Sequence, residues 1–240
     1  MKSHCDGEVW GLSVINEGGN LYVITSADDG RVIIADATNH KSLLEIPVKP
    51  LEAAKAGAKG AKATAVVKKN KGGASSMSNI SEELQSRAVT YCDKEKHLAV
   101  ASNVGIVYIY KVDWGKVKKG DASGLKFFKK CLEDLKKAEW VESMAYSPCM
   151  DMLAIGSHDN FIYILDSATY NNKKKIILKG SSSFIMGLDW SMDSKWIRST
   201  DGAYELLFYN IEAKKREPGG ASMTVGCDWA DHTCQFGWSV

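Results

Sequence analysis

The chain has 240 residues, of which 45% are hydrophobic and 25% are charged, so it can bury a sizeable core. These values exclude a collagen-like chain and a wholly disordered one. The longest uninterrupted apolar runs, such as Phe161 to Leu165, are far shorter than the roughly 18 residues that span a bilayer, and residues 1–14 contain no signal-peptide core. We therefore expect a protein of the reducing cell interior that does not act at a membrane.

The formal net charge of +2 conceals two strongly basic segments. Residues 49–73 carry seven lysines and one acidic residue, and residues 111–137 carry nine lysines and four acidic residues. Lysine supplies almost all of this charge, whereas recognition of phosphates and base edges favours the flat fork of arginine. The balance therefore indicates diffuse attraction to acidic surfaces and argues against specific nucleic-acid binding.

Six cysteines are scattered along the chain without a CxxC pair, which argues against a disulfide framework and against a strong zinc site. They are Cys5, Cys92, Cys131, Cys149, Cys227 and Cys234. The CxxxxHxC cluster of Cys227, His232 and Cys234 lacks a second ligand pair, so we predict no metal there. We expect free thiols and no cofactor.

A repeated unit organises the sequence. Each copy begins with an apolar residue, a small or polar residue and then a residue that is usually aromatic. The leading pairs are Leu12/Val14, Val89/Tyr91, Met144/Tyr146, Leu188/Trp190 and Cys227/Trp229. Further along the first four copies, a tight turn precedes a β-branched or aromatic strand. These segments are DGRVIIAD (29–36), VGIVYIYK (104–111), DNFIYILD (159–166) and DGAYELLFYN (201–210).

The spacing of the copies matches a known architecture. The intervals from Met144 to Leu188 and from Leu188 to Cys227 are 44 and 39 residues, close to the ~40–45 residues of a four-stranded WD40 propeller blade. The two longer preceding intervals then require insertions. We predict an all-β, WD40-type β-propeller that is incomplete, with about four to five blades of antiparallel four-stranded sheets in a single domain spanning residues 1–240.

Turn chemistry supports the blades. Asp29-Gly30, Asp159-Asn160 and Asp201-Gly202 are hairpin-turn pairs, in which glycine or asparagine tolerates positive φ and aspartate accepts backbone N–H bonds. We therefore assign Asp29, Asp159 and Asp201 a structural role in turns. Val104 replaces the aspartate of the second copy, and Ser181 stands where WD40 blades usually carry a histidine.

The first insertion, at about residues 50–80, consists largely of Ala, Lys, Gly and Ser, so we predict that it is disordered and basic. One interpretation is a solvated spacer. The other is contact with an acidic partner, since flexible lysines attract without fixed geometry. The candidate residues are Lys55, Lys59, Lys62, Lys68, Lys69 and Lys71.

The second insertion, at about residues 114–138, places Leu125, Phe128, Leu132 and Leu135 at a helical spacing. We predict a short amphipathic helix over 125–137, whose apolar face packs on the propeller, docks a partner or binds a membrane surface. Its lysines are the second candidates for an acidic-partner contact. They include Lys126, Lys129 and Lys130.

Longer segments carry a narrower resemblance. SMAYSPCMDMLAIGSHDNFIYI (143–164), GSSSFIMGLDWSMDSKWIRSTDGAYELLFY (180–209) and CDWADHTCQFGWSV (227–240) resemble the second propeller of the echinoderm microtubule-associated protein-like (EML) family. KSHCDGEVWGL (2–12) resembles the start of a repeat in that propeller. The match runs in order along the chain, except in the two lysine-rich insertions.

This resemblance implies binding to tubulin or microtubules without catalysis, alongside other cytoskeletal or axonemal proteins. It also implies a location in the cytoplasm, on the cytoskeleton or in a ciliary axoneme. Because about four to five blades do not close a ring, we further hypothesise that the chain is a fragment or is completed by a second chain.

Other function classes find less support. GxSxG, P-loop, HExxH and GxGxxG motifs are absent from the sequence, so we predict no enzymatic activity. The alternative is a generic WD40 scaffold of a multiprotein complex that does not contact tubulin. Nonspecific nucleic-acid binding through the lysines is disfavoured because residues 50–73 lack arginine and interleaved aromatic residues.

Overall fold

The computed structural model describes residues 4, 7–48, 84–133, 139–235 and 237. Within these residues the chain forms four antiparallel sheets of four strands each, and the strands of every sheet are paired in chain order. We call these sheets blades 1 to 4. The predicted all-β architecture of an incomplete β-propeller is confirmed.

The first two blades flank the first lysine-rich segment of the sequence. Blade 1 contains β1 (Val9–Glu17), β2 (Asn20–Ala27), β3 (Arg31–Asp36) and β4 (Lys41–Pro47). Blade 2 contains β5 (Val89–Cys92), β6 (His97–Ala101), β7 (Val107–Val112) and β8 (Leu125–Cys131). A short helix, α1 (Trp114–Val117), and a 3-10 turn (Ala122–Gly124) join β7 to β8.

The last two blades have shorter outer strands. Blade 3 contains β9 (Val141–Tyr146), β10 (Met152–Ser157), β11 (Ile162–Asp166) and β12 (Ile176–Leu178), with a 3-10 turn (Asn172–Lys174) before β12. Blade 4 contains β13 (Ile185–Trp190), β14 (Trp196–Asp201), β15 (Leu206–Asn210) and β16 (Lys215–Arg216). A second short helix, α2 (Gly220–Met223), follows.

Among the residues described, three apolar cores hold the blades together, one at each junction between successive blades. The first strands of neighbouring blades contact one another, which arranges the sheets around a common axis. At the junction of blades 1 and 2, Trp114 of α1 packs 4.8 Å from the ring of Tyr22 and donates its indole N–H to the hydroxyl of Tyr91 at 2.7 Å. The short helix therefore serves as a wedge between two sheets.

The face of blade 1 that points away from blade 2 is different. Leu12 on β1 is 63% exposed, whereas Leu188, at the matching position of β13, is 1% exposed. The fifth leading pair, Cys227/Trp229, does not begin a further sheet within the described residues; Trp229 forms one isolated bridge with Ser191. In the described part of the chain, the repeat thus forms four sheets.

The helix predicted over 125–137 is wrong for its first half. Leu125–Cys131 is β8, because the outer edge of β7 needs a fourth strand to pair its backbone, and this tertiary requirement overrides helical spacing. A β-bulge near Phe128 breaks the alternation, so apolar residues three apart mimic a helical face. The helix in this insertion is α1, at its start.

Other expectations fall partly beyond the described residues. The predicted disordered insertion at about residues 50–80 lies there, as do residues 134–138 of the second insertion. The single-domain boundaries 1–240 therefore stay a prediction. Among the described helices, none has the length and apolarity to cross a bilayer.

Candidate partner-binding surface

The outer edge of blade 2 is β8, a seven-residue strand with the sequence LKFFKKC. It pairs with β7 along one side, from Leu125 opposite Val112 to Cys131 opposite Val107. Within the part of the chain that is described, no other strand pairs with its opposite side. Lysine and phenylalanine side chains therefore stand on an open sheet edge.

Aromatic packing fixes the middle of this strand. The ring of Phe128 stacks on His97 at 5.0 Å and meets Tyr170 edge-on at 6.3 Å, while remaining 38% exposed. His97 is buried, and its Nδ1 lies 3.0 Å from the Tyr170 hydroxyl; burial lowers the pKa of His97, which favours the neutral ring. Lys111 places its Nζ 4.4 Å from the Phe128 centroid.

The neighbouring turn of blade 3 extends the surface. Lys129 donates to the carbonyl of Thr169 at 2.6 Å, and the backbone N–H of Leu132 donates to Asn172 Oδ1 at 3.1 Å. The same turn carries the exposed residues Lys173 and Lys174. We use the name β8 surface for the exposed or half-buried lysine and phenylalanine residues of these two segments and their neighbour on β7. They are Lys111, Lys126, Phe127, Phe128, Lys129, Lys130, Lys173 and Lys174.

Carboxylates near this surface do not neutralise it. Asp166 accepts hydrogen bonds from both the backbone N–H and the hydroxyl of Thr169, which hold its pKa below the usual range. Glu95 and Glu133 also lie nearby, since each interacts electrostatically with a group of the blade 2 and 3 junction. Among the described residues, six lysines against these three carboxylates leave the β8 surface positive.

Two of the lysines lack an ion-pair partner within the described ranges. Among the described residues, no carboxylate forms an ion pair with Lys126 or Lys130. Lys126 lies directly across from Lys111, a like-charge pair that is unfavourable unless an anion approaches. The surface is therefore suited to an acidic partner.

The predicted lysines divide into two groups. Lys126, Lys129 and Lys130 are brought together on the β8 surface, although on a strand and not on a helix. The first group lies outside the described residues. It comprises Lys55, Lys59, Lys62, Lys68, Lys69 and Lys71.

The turn aspartates are occupied by local donors. Asp29 Oδ1 accepts the N–H of Arg31 at 3.1 Å and lies 2.9 Å from His4 Nδ1, whose Nε2 lies 2.9 Å from Thr25 Oγ1. Asp159 accepts the N–H of Phe161 at 3.2 Å. Positive φ occurs at Gly30 and Asn160, as their turn type requires.

The turn of blade 4 departs from the expected pattern. Asp201 accepts the N–H groups of Ala203 and Glu205 and the hydroxyl of Ser181, the residue in the histidine position. Burial opposes ionisation of Asp201, but these donors outweigh it and the pKa is lowered. Gly202 has no positive φ here; a Cβ would lie 2.5 Å from the Phe184 ring, so close packing explains this glycine.

One buried ion pair was not predicted from the sequence. Asp189 on β13 and Arg198 on β14 are cross-strand neighbours, and Arg198 Nε donates to Asp189 Oδ2 at 2.9 Å. Asp189 also accepts the backbone N–H of Thr233 at 2.7 Å and that of Cys234 at 3.3 Å. The pair therefore fastens the C-terminal segment to blade 4. Equal distances of both residues from the hairpin turn were the available signal.

The same end of the molecule contains an open cavity of about 470 Å³. Phe208, Val225 and Trp229 give it an apolar wall, and Arg198 lies over the Trp229 ring at 4.3 Å. His232 Nδ1 lies 3.2 Å from an Arg198 nitrogen. In the described part of the chain, no group of three or more metal-ligating side chains occurs here or elsewhere.

Comparison with known families decides the classification. A family model described as the anaphase-promoting complex subunit 4 WD40 domain matches residues 89–214, slightly more than half of the chain. This chain belongs to the WD40 family. The matched residues cover blades 2 and 3 and most of blade 4, which are the sheets that carry the repeat most clearly.

Individual relatives of this WD40 chain are ciliary and microtubule-associated by name. The ciliary WD repeat-containing protein ctxp80 of Euplotoides octocarinatus is 39% identical over 243 residues, which cover all of this chain and 30% of that protein. Echinoderm microtubule-associated protein-like 1 of Homo sapiens is 38% identical over 104 residues, 42% of this chain and 13% of that protein. The corresponding protein 4 of Mus musculus is 39% identical over 104 residues. The predicted EML resemblance is confirmed over this shared part, and the chain spans less than a third of each relative's length.

Proposed function

We propose that this WD40 chain is a non-catalytic interaction platform on microtubule-based structures, and that the β8 surface contacts the acidic surface of tubulin. The names of the relatives support a location in the cytoplasm, on the cytoskeleton or in a ciliary axoneme. Other cytoskeletal or axonemal proteins would use the remaining faces of the blades.

The observation that carries this proposal is the unneutralised positive charge of the β8 surface. A single exposed ion pair contributes about 0–1 kcal/mol. Several lysines acting together on one acidic partner reach a few kcal/mol, which corresponds to roughly millimolar to micromolar affinity. Such binding weakens steeply with added salt because exposed charges are screened.

The absence of catalysis is part of the proposal. The carboxylate oxygens of the turn aspartates at 29, 159 and 201 accept hydrogen bonds from nearby backbone and side-chain donors. Buried His97 faces the hydroxyl of Tyr170 and the ring of Phe128. These environments favour structural roles for groups that, in an open cleft, would be candidate acids and bases.

Co-sedimentation of the purified chain with microtubules at low and high salt tests the proposal. We expect salt-sensitive pelleting that the double variant Lys126→Glu/Lys130→Glu abolishes. The control is Lys214→Glu/Lys215→Glu, which changes the net charge equally at two exposed residues of blade 4, one in the turn before β16 and one at the start of β16, where Lys215 pairs with Glu217. Equal loss in both variants would mean that net charge, and not the β8 surface, governs pelleting.

A complete lack of pelleting at low salt would favour the alternative, a generic WD40 scaffold without tubulin contact. The exposed apolar face of blade 1 gives that alternative a specific basis, since it offers a second docking surface. Completion of the propeller by a second chain would use the same face.

A further inference from the structure

The outer strands of the four described sheets differ in what they offer to a partner. β12 has three residues and β16 has two, whereas β4 and β8 have seven each. β4 ends in Pro47, which lacks an N–H donor. β8 is therefore the long outer strand in which every residue has a backbone N–H group.

The open side of β8 presents backbone groups without strand partners in the described structure. The strand is also held rigidly, because Phe128 packs on His97 and Tyr170, and Lys129 is fastened to Thr169. A rigid edge lowers the entropic cost of adding another strand. Backbone geometry thus makes this edge a template for strand addition.

Charge decides which strand can be added. Lysines on a natural sheet edge prevent pairing with neutral or like edges. A second copy of β8 would set its own lysines against Lys126, Lys129 and Lys130, which is unfavourable. A strand that carries glutamates places opposite charges across from these lysines, and Phe127, 41% exposed, offers an apolar contact beside them.

We propose that β8 binds an extended glutamate-rich peptide segment of a partner protein as a fifth strand of blade 2. This inference rests on the proposed function, in which the same surface meets an acidic partner, and it specifies the mode of binding. Main-chain hydrogen bonds then supply affinity, and the lysines supply selectivity for acidic sequences.

A pair of synthetic peptides separates strand addition from diffuse attraction. The first peptide has twelve residues, all glutamate except for one central phenylalanine. In the second peptide, prolines replace alternate glutamates, and extra glutamates at both ends restore the net charge. Proline cannot donate a backbone hydrogen bond. We expect the first peptide to bind the full chain about tenfold more tightly, measured by fluorescence anisotropy at one salt concentration.

Amide hydrogen exchange gives an independent measurement. On adding the first peptide, amides within residues 125–130 are expected to exchange more slowly, while those of β16 stay unchanged. Equal affinity of the two peptides, with no protection at β8, would overturn strand addition. Protection that persists in Lys126→Glu/Lys130→Glu would overturn the assigned role of the lysines.

The outcomes also distinguish this inference from the function beneath it. If the chain co-sediments with microtubules but the two peptides bind with equal affinity, contact with the acidic surface stands and strand addition fails. If the first peptide binds as a strand but microtubules do not pellet the chain, strand addition stands and the acidic partner is a protein other than tubulin.

Discussion

The first strands of blades 1 and 4 carry the same short motif in opposite environments. On β13, Trp190 is completely buried and its indole N–H donates to the carbonyl of Ala145 in blade 3. On β1, Val14 occupies the equivalent position and is 58% exposed. In blade 4 the motif packs against the preceding blade. Within the described residues no blade precedes blade 1, so its copy of the motif faces solvent.

The difference shows that burial here is decided by neighbours and not by residue type. The exposed pair Leu12 and Val14 lies on the same face as Leu21 and the half-buried Val23 of β2, and together these residues form an apolar patch of the kind that marks an interaction surface. We therefore expect changes at β13 to destabilise the fold and equivalent changes at β1 to affect association.

The largest expected effect is at the middle position of the motif. Asp189→Ala leaves Arg198 buried without its counter-charge and removes the acceptor for the C-terminal segment. We expect the free energy of unfolding to fall by about 3–5 kcal/mol. Ser13→Ala, at the matching position of β1, serves as the control with a change within about 0.5 kcal/mol. Urea denaturation measures both, and similar losses would contradict the assigned contrast.

The leading position gives the next largest contrast. Leu188→Ala opens a cavity in the core between blades 3 and 4 and is expected to cost about 2–5 kcal/mol. Leu12→Ala removes a side chain that already faces solvent, so its effect should lie within about 0.5 kcal/mol. Chemical denaturation of the two variants compares them directly. A large loss in Leu12→Ala would show that β1 is covered in solution.

The third position of the motif predicts an alkaline transition. Tyr91 on β5 corresponds to Val14, and burial raises its pKa to about 12. Below pH 10 both the folded and unfolded states hold the proton; above it the unfolded state ionises first, so stability falls as the pH rises from 10 towards 12. The midpoint temperature of thermal unfolding should fall less steeply across this pH range in Tyr91→Phe than in the unmodified chain. An unchanged slope would mean that other buried tyrosines account for the decline.

The smallest effect on stability is expected from polar replacement of the exposed pair. Leu12→Ser/Val14→Ser should reduce the binding of an apolar fluorescent dye while leaving the urea midpoint nearly unchanged. Val225→Ser, which changes an 81% exposed residue beside the cavity, is the control and should reduce dye binding less. Undiminished dye fluorescence would locate the apolar surface elsewhere, for instance at Met223 and Val225 near the cavity.

The sequence predicted the blades better than the surface. Alternation and turn residues locate β3, β7, β11 and β15, because a strand buried on both faces shows its character locally. The lysines of β8 were also found. The secondary structure predicted for them was wrong, because a bulge at Phe128 imitates helical spacing. The need of β7 for a partner strand is a non-local effect that this spacing does not show.

Two further features depend on contacts between distant residues. The Asp189–Arg198 pair needs the register of the β13–β14 hairpin, and its bonds to Thr233 and Cys234 bring in a segment about 45 residues away. Exposure of Leu12 depends on which blade stands beside β1. The bonds to the C-terminal segment and the exposure of Leu12 are therefore not encoded in a local pattern of residue types.

Cryo-electron microscopy of microtubules decorated with the chain tests the central claim most directly. The account predicts density for the four blades with the outer edge of blade 2, at Lys126 and Lys130, nearest the tubulin lattice. Decoration should disappear in Lys126→Glu/Lys130→Glu and persist in Lys214→Glu/Lys215→Glu. Contact through the turns at Asp29, Asp159 and Asp201, or bare lattices at saturating wild-type protein, would contradict it.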